Sequence, residues 1–278
     1  MIAAGPRRKR LTFAQQVVAV AAAAGIVVAV LAVAVLSGAL CGWGPTACRF
    51  MSEVAPNVST NLSWALVAIS VGFVGGFFLG WARVSRFRVL RGISLGYTQV
   101  IRGTPLLIQI FAVFYLFPAL NRFWESQGAG FRLDLDEVQR IIIALVLNTS
   151  AYQAEIFRAG FQSIAAGQLE AAASIGMTRP QAMRHVILPQ SLRIMAPPLT
   201  NEYIIMFKDA TPLAFVVAVP ELVDIANRFG QDTQTVLESY LLTALTFLIV
   251  SLALTTCLRL LERRYAVPGL GISVRGGE

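Results

Sequence analysis

The sequence has one histidine, His185, and three cysteines, Cys41, Cys48 and Cys257. These are too few and too scattered for a zinc site or a Cys/His nucleophile pair, so neither metal nor thiol chemistry is expected. Lysine is nearly missing too. Lys9 and Lys208 are the only two, and no Gly-x-x-x-x-Gly-Lys-Ser/Thr loop is present to cradle phosphates. Charge of either sign is scarce: 14% of the 278 residues are charged against 56% hydrophobic, which is far from a soluble composition. The net charge of +8 does not suggest nucleic acid, because the arginines sit in short clusters between long apolar runs rather than along one polar face. Internal repeats, low-complexity tracts and soluble domains are also lacking.

What is abundant is apolar sequence of membrane-spanning length. Such windows lie near Val17 to Leu40, Leu62 to Ala82, Leu95 to Leu120, Val138 to Phe161, Leu192 to Val219 and Tyr240 to Leu261. None shows the period-two alternation of a barrel strand, and hydrocarbon leaves no backbone group unsatisfied. About six transmembrane helices in an all-α integral membrane protein are therefore expected. The first window follows Arg7, Arg8, Lys9 and Arg10, as in a secretory signal, but it exceeds the about 7 to 15 residues of a signal core. Leu40 stands where a lipoprotein site would need a small residue before Cys41. An uncleaved first span is the expectation.

Orientation follows from Lys and Arg in the short loops. With the N-terminus inside, the inner segments carry the basic N-terminus, then Arg83, Arg86, Arg88 and Arg91, then Arg179, Arg184 and Arg193, and finally Arg259, Arg263, Arg264 and Arg275. The outer loops hold only Arg49, Arg122, Arg132, Arg140 and Arg228, with Asp134, Asp136, Glu137, Glu221, Asp224 and Asp232 among them. Both termini are expected in the cytoplasm. Cys41 and Cys48 then fall in an outside loop, where they are either disulfide-bonded or two free thiols. Gly72, Gly76 and Gly80 repeat every four residues in the second span and read as a close helix-packing face rather than a substrate surface.

The longest inner loop, Gln168 to Gln190, reads as two short helices joined by a turn. Leu169 to Ile175 is Ala-rich, Gly176 suits a left-handed helix end, and Thr178 with Gln181 forms a capping box. Pro180 falls in the first turn of the second helix and Pro189 is expected to stop it. Leu169, Ile175, Met177, Met183, Val186 and Leu188 give the hairpin more apolar surface than solvent exposure explains. It calls for a protein partner or, alternatively, lies on the membrane surface.

Glu170, Ala171, Ala172, Gly176, Val186, Leu188 and Pro189 stand at the spacing Glu-Ala-Ala, three residues, Gly, nine residues, Ile, one residue, Leu-Pro. That pattern resembles the loop shared by permease subunits of ABC importers, with Val186 in place of Ile as the one departure. Arg102 to Gln109, Ala151 to Gly160 and Asn201 to Asp209 resemble the branch for polar amino acids of the histidine, glutamine and arginine type. The resemblance runs from about Val58 to Tyr265. It implies a type I importer transmembrane domain at 58–265, with a coupling loop at 162–191. Residues 1–57 would form a basic N-terminus, an additional first helix and an outside loop, and 266–278 a cytoplasmic tail. It also implies a bacterial inner-membrane location and several partners: a cytosolic ATPase dimer that uses ATP and magnesium, a second permease subunit, and an extracytoplasmic binding protein. The chain itself would bind no cofactor or metal and hydrolyse nothing.

A Lys, Arg or Asp at a helix centre costs about 2.5 to 3.5 kcal/mol, so Lys208 and Asp209 are expected to face protein or a wet cavity. Pro197, Pro198 and Pro212 are expected to break the same span, which marks it as a wall of the translocation path. Arg102, Gln109, Glu155, Asn201 and Glu202 complete the candidate pathway set, since an amino-acid zwitterion needs both cations and acceptors. The alternative for Glu155 or Glu202 is a pairing with an arginine that holds the bundle. Further readings remain open: an ABC permease for another small solute, a membrane enzyme using Glu155, Glu202, Asp209 and His185, and an ion-driven secondary transporter.

Overall fold

The computed structural model describes residues 44–164, 166–210 and 221–265, and among them it is helical without strands. The expected first span at 17–40, Cys41, Pro212 and the tail 266–278 lie outside the described residues. The described residues form nine α-helices, in order α1 Pro45–Val84, α2 Arg88–Arg102, α3 Leu106–Ser126, α4 Glu137–Gln162, α5 Ala166–Ser174, α6 Arg179–Ala182, α7 Leu188–Asp209, α8 Leu222–Thr233 and α9 Val236–Tyr265. A π-helical turn, Met183–Ile187, joins α6 to α7. By length and composition α1, α3 and α9 can each cross a membrane. The helices α4 and α7, of 26 and 22 residues, are also long enough for the about 30 Å of hydrocarbon, but they carry polar residues inside.

The boundaries near Pro105 and Pro45 differ from the sequence expectation. The window from Leu95 to Leu120 is two helices, because Gly103, Thr104 and Pro105 break it. Pro105 is extended at ψ 137 and caps α3, and the residue before a proline is steered away from helical angles. Residues from Pro45 onward, expected as an outside loop, are instead the first turns of α1. At 40 residues α1 is about 60 Å long, twice the hydrocarbon thickness, so part of it stands clear of the membrane. Its protruding turns bury Phe50, Met51 and Val54 against the short amphipathic α8, with Phe50 edge-on to Phe229 at 5.2 Å. Asn61 donates to Glu221 at 3.1 Å at the same junction. Cys48, in the first turn of α1, is disulfide-bonded.

The bundle is organised around α4. Its pairing with α1 is the most extensive among the described helices, and the glycine face of α1 makes it possible. A Cβ placed on Gly72 would stand 2.1 Å from Thr149 Oγ1, one on Gly76 2.7 Å from Gln153 Cβ, and one on Gly80 2.5 Å from Phe157 Cβ. The expected packing role of this stripe is therefore what the structure shows. Polar residues at successive positions of α4 point to different neighbours, as a helix turning about 100° per residue requires. Asn148 donates to Gln109 of α3 at 3.0 Å, Thr149 to the Ala68 carbonyl of α1 at 3.1 Å, and Ser150 shares a 2.7 Å bond with Tyr97 of α2. Gln153 completes the belt with a bond to the Ile69 carbonyl at 3.3 Å. Interhelical bonds of this kind contribute about 0.6 kcal/mol each, up to about 1.7.

Candidate functional site: the hairpin and the helix it drives

The chain turns from α5 to α6 by a Schellman motif. Met177 N–H donates to the Ala172 carbonyl at 3.0 Å and Gly176 N–H to Ala173 at 2.9 Å, with Gly176 at φ +80. Three residues on, Gln181 Oε1 accepts from the Thr178 N–H at 2.8 Å and from its hydroxyl at 3.0 Å, which fixes the start of α6. Ala172 and Ala182 are buried where the two short helices meet, and Ile187 is buried beneath them. Leu169, Ile175 and Met183 project outward, Ile175 with 73% of its surface exposed, while Met177, Val186 and Leu188 are half-buried. Glu170 and Ala171 are exposed on the same hairpin. His185 is exposed as well, with Nδ1 3.0 Å from the Gln181 carbonyl, and it meets no carboxylate there.

Pro189 does not stop the second helix. Leu188 keeps helical angles, φ −58 and ψ −46, and its N–H reaches back five residues to the Met183 carbonyl. In an α-helix the ring of Pro189 would collide with the carbonyl four residues earlier, and its missing N–H would strand that carbonyl. The wider π turn makes room for the ring, so the helix continues from Arg179 through to Asp209. The pair Pro197 and Pro198 likewise lies inside α7 without ending it. Each withholds one ladder donor, which leaves the middle of α7 with two fewer backbone bonds than a regular helix. Thr200 returns a hydroxyl bond to the Ala196 carbonyl at 2.6 Å.

The residues expected along the path separate into two kinds. Gln109 is 8% exposed and fully engaged. It donates to the Ile101 and Thr104 carbonyls at 2.6 and 2.9 Å, accepts from Asn148, and so holds the α2–α3 break in place. Glu155 sits between two arginines: Arg158 Nε donates to it at 2.9 Å, and Arg83 of α1 lies at 3.7 Å. Arg83 also donates to Thr98 of α2 at 2.9 Å, so this group ties three helices together. The other kind is open. Arg102 is exposed at the end of α2, with its guanidinium over the Tyr152 ring at 5.2 Å. Asn201 and Lys208 are exposed, and Glu202 and Asp209 half-buried, on α7. Lys208 and Asp209 form its last turn rather than its centre, where the lysine suits the helix dipole. Asn148, Thr149 and Ser150 escaped the sequence reading, although three polar residues in succession inside an apolar window were a visible signal, and Tyr152 and Gln153 entered it only within the segment that carried the resemblance.

Residues 72–267 match the family described as the binding-protein-dependent transport system inner membrane component. The chain belongs to that family. It is 36% identical over 214 residues to the L-cystine transport system permease protein of Bacillus subtilis strain 168, covering 75% of this chain and 86% of the relative. It is 33% identical over 204 residues to the glutamine transport system permease protein of Escherichia coli K12, covering 73% and 88%. Among solved structures it resembles a crystal structure of an amino acid ABC transporter with histidines, at 31% identity and TM-score 0.65, over 77% of this chain and 93% of that one. The all-α permease fold expected from the sequence is thus the fold observed, and the chain is a multi-pass membrane protein of the inner membrane.

Proposed function

We propose that the chain is the membrane permease of an ATP-driven importer of polar amino acids, with α7 as a moving wall of the path and the hairpin 166–190 as the dock for a separate ATPase. The observation that carries this reading is the hairpin itself: an ordered turn that keeps Leu169, Ile175 and Met183 exposed and runs without a break into α7. Exposed apolar side chains on an ordered loop suit a protein partner. Glu170 and Gly176 serve there as parts of a joint, Gly176 by taking a backbone angle that a side chain resists.

Arg102, Asn201 and Lys208 are exposed on the isolated chain although they belong to membrane-embedded elements. Hydrocarbon would not tolerate them, so this face meets a second permease subunit across a wet path, and an amino acid's carboxylate and ammonium find there the cations and the acceptors Glu202 and Asp209. Gln109 and Glu155 hold the bundle behind that face. The arginine bias supports a cytoplasmic position for the hairpin end and both termini. A loaded binding protein docks at the opposite end, two ATPases close on the hairpins, and the two permeases rock to release substrate inside. ATP and magnesium stay with the ATPase.

The test is uptake of labelled amino acids into vesicles carrying the chain with its binding protein and ATPase. Uptake should require ATP and survive collapse of the membrane potential. Uptake that persists without the ATPase and disappears with the potential would assign the chain to ion-driven transport instead.

A further inference from the structure

At the hairpin end of the bundle the C-terminus of α1, the first turns of α2 and the last turns of α4 enclose an open cleft of ≈ 480 Å³. Arg83, Arg88, Arg91 and Arg158 line it, with Gly92 and Leu95. Glu155 answers Arg83 and Arg158, and Arg158 also bonds Gln162. Arg88 and Arg91 are exposed, and among the described residues neither guanidinium has an ion pair or side-chain hydrogen bond. Four guanidiniums thus line the cleft and Glu155 answers only two of them, so the cleft keeps a strong positive surplus. Gly92 adds room, since a Cβ there would meet nothing within 4 Å.

The neighbouring surface is apolar. Phe87, Val89, Leu90 and Ile93 are exposed by 56%, 73%, 50% and 64%, while the polar Ser94 and Thr98 of the same helix are buried against the bundle. This is a helix turned inside out relative to a soluble one, as hydrocarbon demands. We infer that the cleft is a binding site for the phosphate of an anionic phospholipid of the leaflet at the hairpin end, with its acyl chains along the exposed apolar face of α2. A free phosphate would use the arginines alone and leave Val89, Leu90 and Ile93 unaccounted for. A zwitterionic headgroup would bring a cation to an already cationic cleft. Arginine forks match phosphate oxygens in pairs, and basic pockets between helices at the membrane surface suit anionic headgroups. The site joins α1, α2 and α4 a few residues before the hairpin begins, so an occupying lipid braces the base on which the hairpin moves.

The full-length chain, purified in neutral detergent, can be titrated with short-chain phosphatidylglycerol, short-chain phosphatidylcholine or inorganic phosphate at matched ionic strength, with thermal melting as the readout. Phosphatidylglycerol alone should raise the melting temperature saturably. The double variant R88Q/R91Q should weaken that binding at least tenfold, and Gly92→Leu, which keeps every charge and fills the cleft, should do the same. An equal shift with inorganic phosphate would reduce the cleft to a free-anion site and overturn the inference. So would equal binding of phosphatidylcholine, or unchanged phosphatidylglycerol binding in both variants. Loss of ATPase association in R88Q/R91Q with lipid binding intact would give the arginines to the protein partner, and would also overturn it.

Discussion

Leu188 donates its N–H to the carbonyl of Met183, five residues back, and that one bond makes the hairpin and α7 a single rod from Arg179 to Asp209. The rod is about 45 Å long at 1.5 Å per residue. A displacement of α6 therefore travels along the helix axis to the face that bears Asn201, Glu202 and Lys208, without a loop to absorb it. Pro189 keeps the π turn from closing into a regular one. Pro189→Ala restores a donor and relieves up to about 3 kcal/mol of the cost of an interior proline, and a return to α geometry would rotate the hairpin by about 100° against α7. The expected outcome is an unchanged or higher melting temperature with uptake per ATP hydrolysed reduced several-fold, measured in proteoliposomes.

The glycine face of α1 gives a test of packing. Gly76→Leu must displace Gln153 and the Ala154 backbone, both within 3.1 Å of an added Cβ, and should cost about 1 to 3 kcal/mol as an overpacked contact. Folded yield and melting temperature should fall together. Gly96→Ala is the control, because nothing lies within 4 Å of its Cβ and alanine is the better helix former by about 1 kcal/mol. That variant should melt at or above the wild-type temperature.

At the turn of the hairpin, Gly176 holds φ +80 in open space, so backbone strain rather than collision decides its substitutions. Gly176→Val should cost the left-handed penalty of about 1 to 2 kcal/mol and loosen the Schellman turn, whereas Gly176→Asn should be milder. Binding-protein-stimulated ATP hydrolysis should drop strongly in the first and little in the second. Equal stimulation in both would remove the turn from the coupling joint.

Glu155 and Arg102 belong to opposite sides of the proposed division between support and path. Glu155→Gln leaves Arg83 and Arg158 without their shared carboxylate and should lower the melting temperature while leaving the KM for the amino acid close to wild type. Arg102→Gln should leave stability nearly unchanged and raise that KM. The reverse pattern would place Glu155, not Arg102, in the path.

Much of this was legible from residue order. The hairpin's capping pair Thr178 and Gln181, the left-handed Gly176 and the packing stripe Gly72, Gly76 and Gly80 are local signals, and local signals survive folding. The continuity at Pro189, Pro197 and Pro198 was not legible. Whether a proline ends a helix depends on whether the preceding turn can widen, and that is settled by what packs around it rather than by the proline. The roles of Gln109 and Glu155 were hidden for a related reason. A polar residue in an apolar window announces that it is not facing lipid, but only its neighbours, Asn148 for one and Arg83 for the other, show that its bonding capacity is already used. The outer turns of α1 were missed because their apolar residues, Phe50, Met51 and Val54, pack on α8, a helix far away in sequence.

The exposed side chain of Ile175 is the most direct test of the hairpin as the dock. Ile175→Glu leaves the fold untouched, because the residue is 73% exposed at the helix end, and it sets a charge where an apolar partner surface must be desolvated. The measurement is ATP hydrolysis stimulated by the loaded binding protein, with amino-acid uptake followed in the same proteoliposomes. Loss of both activities, with a normal melting temperature for the chain, is the expected result; wild-type hydrolysis and uptake in the Ile175→Glu protein would contradict it.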